Sequence, residues 1–154
     1  MSANTRTRRR ADVAEHLPDV YKHLVAIDAL TKDVLGGALM ELVKLRASYI
    51  NGCAFCIDMH ARDALRRGEE SRRLFALAAW HEAPGLFTEA ERAAFGLVDA
   101  VTRLGEHGVP DEVYDAAAEH HTERELAALI VATATINAYN RIGIARRAEV
   151  PPLR

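Results

Sequence analysis

The sequence predicts an all-α fold, a single-domain helical bundle of about seven helices. Its length of 154 residues, with 49% hydrophobic and 27% charged residues, is typical of one globular domain. Aromatic residues make up 6% of the chain, which favours packed helices over a β-sandwich. Apolar residues recur at helical spacing, and the chain has neither strand-like alternation nor an internal repeat.

The first predicted helix begins at Pro18, because proline suits the first helical position. Its apolar residues Val20, Leu24, Ile27 and Val34 fall near one face. A glycine pair at 36–37 separates it from a second helix over about 38–50. Asn51-Gly52 is a strong turn signal, so a third helix follows at 53–67 and stops at Gly68.

The second half of the chain carries two capping boxes, at 88–91 and 122–125, and each opens a helix. A fourth helix over about 70–80 precedes the first box. The fifth helix follows that box, carries Leu104 and is broken by Gly108, and Pro110 begins a short sixth helix. The helix after the second box, from Leu126 towards Ile144, is the most apolar of the chain.

We assign residues 18–150 to the helical domain and residues 1–17 to a flexible, solvated N-terminal segment. The first ten residues contain Arg6, Arg8, Arg9 and Arg10 and no acidic residue, which leaves 16 of the 20 basic residues against 22 acidic ones in the rest of the chain. An acidic body argues against nucleic-acid binding. Because the chain has no apolar run of roughly 20 residues and no secretory signal pattern, we expect a cytoplasmic protein without membrane contact.

The stretch from Glu41 to His60 carries the chemistry. Cys53, Cys56 and His60 stand at i, i+3 and i+7, on one face of the third helix. The turn at 51–52 makes the second and third helices antiparallel, so Glu41 lies at about the height of His60. A carboxylate there can hold one imidazole nitrogen and leave the other facing Cys56, which is a nucleophile, base and orienting-acid arrangement.

The spacing leaves the roles of the two cysteines open. Cys53 lies near a helix N-terminus, where the dipole lowers a thiol pKa. Cys56 lies closer in sequence to His60, and this proximity slightly favours Cys56 as the nucleophile. A thiolate at Cys56 can attack a hydroperoxide and become a sulfenic acid, which a neighbouring thiol converts to a disulfide. An external reductant must then restore the dithiol.

The same stretch resembles the AhpD-like alkylhydroperoxidases of the carboxymuconolactone decarboxylase superfamily. The likeness rests on Glu41, the CAFCIDMH run at 53–60, AWHEAP at 79–84 and INAYNR at 136–141. The resemblance implies an all-helical homo-oligomer, often a trimer or hexamer. It also implies a peroxidatic Cys56, a resolving Cys53 and a proton relay through His60 and Glu41, with no cofactor.

One residue departs from that pattern, because Phe55 stands where the family type has a further histidine. The relay is therefore shorter, and the rate or the preferred substrate is expected to differ. The resemblance implies a hydroperoxide substrate and an external dithiol or protein reductant. The decarboxylase branch typically lacks the cysteine pair, so its presence here favours redox chemistry.

Three other interpretations of the cysteine stretch remain. The protein can be a thiol–disulfide oxidoreductase or redox sensor without efficient peroxidase turnover. It can be a cofactor-free lactone decarboxylase or isomerase with incidental cysteines. The two cysteines with His60 and Glu41 can also supply four zinc ligands, but no second cysteine pair exists, and we predict no metal.

Two further sets of residues call for an interpretation. Asn137, Asn140 and Arg141 are polar residues in the most apolar helix, and we favour helix–helix or subunit-interface hydrogen bonds over substrate contacts. Tyr49 and Met59 are expected to form core or pocket wall.

Overall fold

The computed structural model of the protein describes residues 10–153 and confirms the all-α prediction. Within this range it contains no β-strand. Two short 3₁₀ segments, Leu77–Glu82 and Pro84–Leu86, connect the fifth and sixth α-helices. The α-helices are α1 (Val13–His16), α2 (Pro18–Leu35), α3 (Gly37–Asn51), α4 (Ala54–Arg66), α5 (Ser71–Ala76), α6 (Glu89–Thr102), α7 (Asp111–Ala118) and α8 (Glu123–Arg146).

The helix boundaries follow the local signals of the sequence. Both capping boxes form, with the side chains of Thr88 and Thr122 accepting from the backbone N–H three residues later. Gly52 ends α3 in the left-handed conformation, with φ of 69°, which glycine adopts without strain. The chain then reverses directly into α4, so the hairpin that carries the cysteines is set by local sequence.

Two predicted helices end earlier than expected. The fourth ends as an α-helix at Ala76. The chain continues as a 3₁₀ segment in which Ala79 has a non-helical backbone conformation, with φ of −130°. The fifth stops at Thr102, so Leu104 lies outside the helix and is 68% exposed. Arg46 of α3 donates to the carbonyls of Leu77 and Ala78, at the start of the 3₁₀ segment that follows Ala76.

The segment before Pro18 contains α1, which is capped by the side chain of Asp12. Asp12 also pairs with Arg146 of α8, and Arg10 donates to the carbonyl of Ala145. The predicted flexible segment also includes residues 1–9, which lie outside the described residues. Its flexibility, and the domain boundary at residue 18, therefore stay predictions.

Helix α3 is the central helix of the bundle and packs against α2, α4, α6 and α8. Every residue from Met40 to Ser48 is buried, and α3 contributes to both hydrophobic clusters of the core. Three of these buried residues are charged: Glu41, Lys44 and Arg46. Buried charges are costly unless they are paired, and each of these three side chains forms an ion pair with a residue of a neighbouring helix.

Arg46 finds its partner in Asp99 of α6. Its Nε and Nη2 donate to the two carboxylate oxygens of Asp99 at 2.6 and 2.7 Å, a bidentate pairing. Trp80 also donates its indole N–H to Asp99, at 3.3 Å. This pair ties the α3 core to α6 on the side of the helix away from Glu41, and we assign it a structural role.

A chain of amide side chains ties α3 to α8. Asn51 donates to the side-chain oxygens of Asn137 and Asn140, at 2.6 and 2.9 Å, and Asn140 donates to Ser48 at 3.0 Å. These bonds confirm the preference for helix–helix hydrogen bonds at Asn137 and Asn140, whereas Arg141 donates to the backbone and side-chain oxygens of Asn137 on its own helix. No helix of the described chain combines the length and the apolar character that crossing a membrane requires.

Candidate active site

The α3–α4 hairpin brings Glu41 and His60 into contact, as the residue spacing predicts. Glu41 Oε2 lies 2.9 Å from His60 Nδ1, and the two residues are 4% and 5% exposed. Nδ1 therefore carries the proton of this hydrogen bond, and Nε2 is the nitrogen left for other chemistry. Among the described residues, none forms a hydrogen bond with Nε2.

Burial and three neighbouring cationic or hydrogen-bonding groups act on the pKa of the Glu41 carboxyl. Burial raises its pKa, but the hydrogen bond and charge of His60, followed by the charges of Lys44 and Arg67, outweigh burial and lower it overall. Arg67 Nε lies 3.7 Å from Glu41 Oε1. The carboxyl is therefore ionised at neutral pH and accepts the hydrogen bond of the neighbouring imidazole.

Cys53 and Cys56 are joined by a disulfide across a Cα–Cα distance of 5.3 Å. Cys53 is the N-cap residue of α4, and its sulfur accepts from the backbone N–H of Cys56 at 3.4 Å. Both cysteines are buried, at 2% and 3% exposure. The site thus stands in the oxidised state of a dithiol–disulfide pair.

A cavity of about 500 Å³ opens in front of this site. Cys56, His60 and Glu41 line it, whereas Cys53 is not among its lining residues. Helix α2 supplies one wall and α8 another. The lining residues are Tyr21, Val25, Asp28, Ala29, Lys32, Glu41, Lys44, Phe55, Cys56, Met59, His60, Asp63, Arg66, Arg67, Tyr139, Ile142, Gly143 and Arg146.

Gly143 brings α8 directly against the disulfide. A Cβ at this position would lie 3.3 Å from Cys53 Sγ and 3.7 Å from Cys56 Sγ. The separation from Cys53 Sγ is tight and that from Cys56 Sγ is an ordinary van der Waals contact, so the absence of a side chain lets the helix backbone lie this close to Cys53 Sγ. An isolated glycine within an apolar helix pattern indicates a packing or functional role. The sequence alone could therefore have singled out Gly143.

The cavity wall also contains residues that the sequence spacing did not single out. Lys44 of α3 pairs with Asp28 of α2, and the other oxygen of Asp28, Oδ1, is buried with no hydrogen-bond partner in the described structure. Tyr139 packs edge-on against Tyr21 with ring centroids 5.8 Å apart. Burial, followed by the nearby Asp28 and Tyr21, raises the Tyr139 pKa, so its hydroxyl keeps its proton.

Phe55 and Met59 contribute the apolar part of the α4 wall. The guanidinium of Arg146 lies over the Phe55 ring, 5.8 Å from its centroid. The position at which the resemblance implies a further histidine is thus occupied by an aromatic ring that stacks with a cation and transfers no proton. Met59 and Tyr49 lie where expected, the first lining the cavity and the second packed against the core.

Glu41, His60 and Asp63 are the described residues whose arrangement comes nearest to a metal site, with ligand atoms within 4.8 Å of one another. Their surroundings compete with a cation for the two carboxylates, because Asp63 pairs with Arg66 and Glu41 lies beside Arg67. The cysteines do not join this group, since each sulfur is bonded to the other.

Comparison with known proteins places these features in a family. Residues 18–100 match the model of the carboxymuconolactone decarboxylase family. The uncharacterized protein YdfG of Bacillus subtilis (strain 168) is 37% identical over 138 residues, which cover 89% of this chain and 93% of that protein.

Two crystal structures share the fold. ATU0492 from Agrobacterium tumefaciens superposes with a TM-score of 0.88 and 35% identity, covering 95% of this chain and all of that one. It is a protein of unknown function whose description proposes an antioxidant defence role as AhpD. An uncharacterized peroxidase-related protein from Silicibacter sp. TM1040, at 18% identity, shows the same fold with a TM-score of 0.68 over 88% of this chain and 78% of that one.

The family match covers the α3–α4 hairpin with its cysteine pair, and the Agrobacterium structure extends the likeness through α8. The chain therefore belongs to the carboxymuconolactone decarboxylase family and, within that superfamily, is AhpD-like.

Proposed function

We propose that the protein is a thiol-dependent alkyl hydroperoxide reductase that cycles between a Cys53/Cys56 dithiol and a disulfide. The observation that carries the proposal is the placement of Cys56 on the wall of a cavity beside His60, whose Nδ1 is held by an ionised Glu41. The antioxidant role proposed for the Agrobacterium relative supports the same conclusion.

We assign the peroxidatic role to Cys56 and the resolving role to Cys53. Of the two cysteines, only Cys56 is a lining residue of the cavity, and it lies one helical turn before His60. Cys53 lies at the start of α4, one turn earlier, within disulfide reach. Glu41 is a positioning residue, because it acts on the reacting atoms through His60.

The reaction begins when His60 takes the proton of Cys56 and the thiolate attacks the terminal oxygen of the hydroperoxide. The O–O bond breaks, and the departing alkoxide takes a proton from His60 and leaves as the alcohol. Cys56 has then lost two electrons and is a sulfenic acid. Attack by the Cys53 thiol forms the disulfide and releases water. An external dithiol or a protein reductant returns two electrons and two protons.

We also propose that the protein functions as a homo-oligomer, a trimer or a hexamer. Large apolar side chains lie exposed along α2, where Val20, Val25 and Leu30 are 49%, 50% and 69% exposed. Ile130 and Val131 of α8 add to this surface, at 37% and 42%. Exposed large apolar side chains on two helices of a small domain are candidate association sites.

The experiment that tests the function is hydroperoxide consumption in the presence of a dithiol reductant, for the parent protein and the Cys53→Ser and Cys56→Ser variants. We expect catalytic turnover in the parent protein and in neither variant. Exchange with other disulfides without hydroperoxide consumption would favour a thiol–disulfide oxidoreductase. Turnover of a lactone that survives thiol alkylation would favour the decarboxylase branch.

A further inference from the structure

The cavity is larger than a hydroperoxide group needs, and the cationic side chains that line it outnumber the carboxylates. We propose that it takes an anionic, amphipathic hydroperoxide, whose carboxylate binds Lys32 while its hydroperoxide reaches Cys56. This substrate class rests on the proposed reductase function. A cavity of about 500 Å³ falls within the range that encloses ligands of drug-like size.

The charge excess is positive. Five lysine and arginine side chains line the cavity against three carboxylates, and each carboxylate is already engaged by a cationic neighbour. The pairs are Asp28 with Lys44, Glu41 with Arg67 and Asp63 with Arg66. Arg146 is engaged as well, by Asp12 at 2.7 Å. Of the five cationic side chains that line the cavity, Lys32 is the one without an ion-pair partner among the described residues.

The ammonium of Lys32 forms no hydrogen bond or ion pair within residues 10–153, although the side chain is half-buried. Asp28, one turn earlier on the same helix, is the carboxylate that would normally pair with it. Lys44 takes that carboxylate instead, from the facing helix. Lys32 is therefore a cation on the wall of a partly apolar cavity, where an incoming carboxylate gains a charge-assisted hydrogen bond.

The helix register separates Lys32 from Cys56. Asp28 and Lys44 lie eight residues on either side of Gly36 and touch, so α2 and α3 run antiparallel. Lys32 is one turn from Asp28 towards the level of Glu41, whereas Cys56 is one turn from His60 towards the level of Lys44. At 1.5 Å per residue the two differ by roughly 7–8 Å along α3, before the width of the cavity is added.

The cavity that holds these two residues also has apolar lining residues, which include Val25, Met59 and Ile142. A substrate that satisfies both ends therefore carries its carboxylate several methylene groups away from the hydroperoxide, as a long-chain fatty-acid hydroperoxide does. Neither hydrogen peroxide nor a short neutral hydroperoxide can use Lys32 and Cys56 together.

The test compares the hydroperoxide of linoleic acid with that of its methyl ester, which differ in the negative charge. We expect kcat/KM for the acid to exceed that for the ester by about tenfold or more, the worth of one charge-assisted hydrogen bond. Lys32→Gln should remove this preference by lowering the value for the acid, and Lys32→Arg should keep it. Lys22→Gln, an exposed change on the same helix, is the control and should leave the preference intact.

A second arm measures binding without turnover, by titration calorimetry of the oxidised protein with the corresponding hydroxy acid and its methyl ester. We expect the acid to bind more tightly than the ester in the parent protein, and equally in Lys32→Gln. Equal binding of acid and ester by the parent would overturn the proposal. If neither the parent protein nor any variant consumes either hydroperoxide, the reductase function is wrong. The calorimetry then tests by itself whether Lys32 forms an anion-binding site.

Discussion

In the proposed mechanism, His60 decides how readily Cys56 becomes a thiolate. Replacing it with alanine removes the imidazole that accepts the thiol proton and then carries a positive charge beside the thiolate, so we expect His60→Ala to raise the pKa of the Cys56 thiol. Glu41→Gln leaves the imidazole in place and should slow turnover less than His60→Ala does. The rate of Cys56 alkylation against pH, in the Cys53→Ser background, measures the first effect. An unchanged profile in His60→Ala would remove His60 from the role of base.

The Glu41 carboxyl links the site to the stability of the fold. Because its pKa is lowered below 4.5 in the folded protein, the unfolded chain binds this proton more readily. The ionised carboxyl therefore contributes stability above about pH 4.5, and this contribution is lost as pH falls through the folded pKa.

We expect Glu41→Gln to lower the free energy of unfolding by about 1–3 kcal/mol at neutral pH, the range for a compromised buried polar contact. The deficit should shrink as the pH is lowered below about 4.5. Urea denaturation of both proteins at several pH values measures it. A deficit that stays constant with pH would show that the Glu41 charge does not stabilise the fold.

At the scale of the elements, the approach of α8 to α4 depends on Gly143. Alanine elsewhere in a helix gains about 0.5–1 kcal/mol over glycine, and we expect that gain for Gly96→Ala in α6, where a new Cβ meets nothing closer than 3.9 Å. Gly143→Ala should gain less or lose stability, because its Cβ lies 3.3 Å from Cys53 Sγ. Urea denaturation of the oxidised proteins compares them. Equal stabilisation by both changes would contradict the tight contact.

The elements also show which features a sequence can predict. The capping boxes at Thr88 and Thr122, the Gly52 turn and the contact of Glu41 with His60 depend on neighbours in one helix or one hairpin, and all were predicted. The α2 and α8 walls of the cavity were not, because they depend on helices distant in sequence. The 3₁₀ segment after Ala76 was also missed, and its contact with Arg46 of α3 likewise joins parts of the chain that are distant in sequence.

At the scale of the whole molecule, the exposed apolar side chains of α2 and α8 predict association. We expect light scattering at micromolar concentration to give a mass three or six times that of the 17.0 kDa chain. Val20→Lys should weaken this assembly, because a charge would have to be buried in the contact. A single species of 17.0 kDa for the parent protein would contradict the oligomer.

The central claim is that the Cys56 sulfur reduces the hydroperoxide and that Cys53 resolves the product. The most direct measurement adds one equivalent of hydroperoxide to the reduced Cys53→Ser and Cys56→Ser variants with a sulfenic-acid probe, and locates the label by mass spectrometry. Our account predicts a label on Cys56 in Cys53→Ser and none on Cys53 in Cys56→Ser. A label on Cys53 when Cys56 is replaced would reverse the roles, and no label in either variant would contradict thiol-based peroxide reduction.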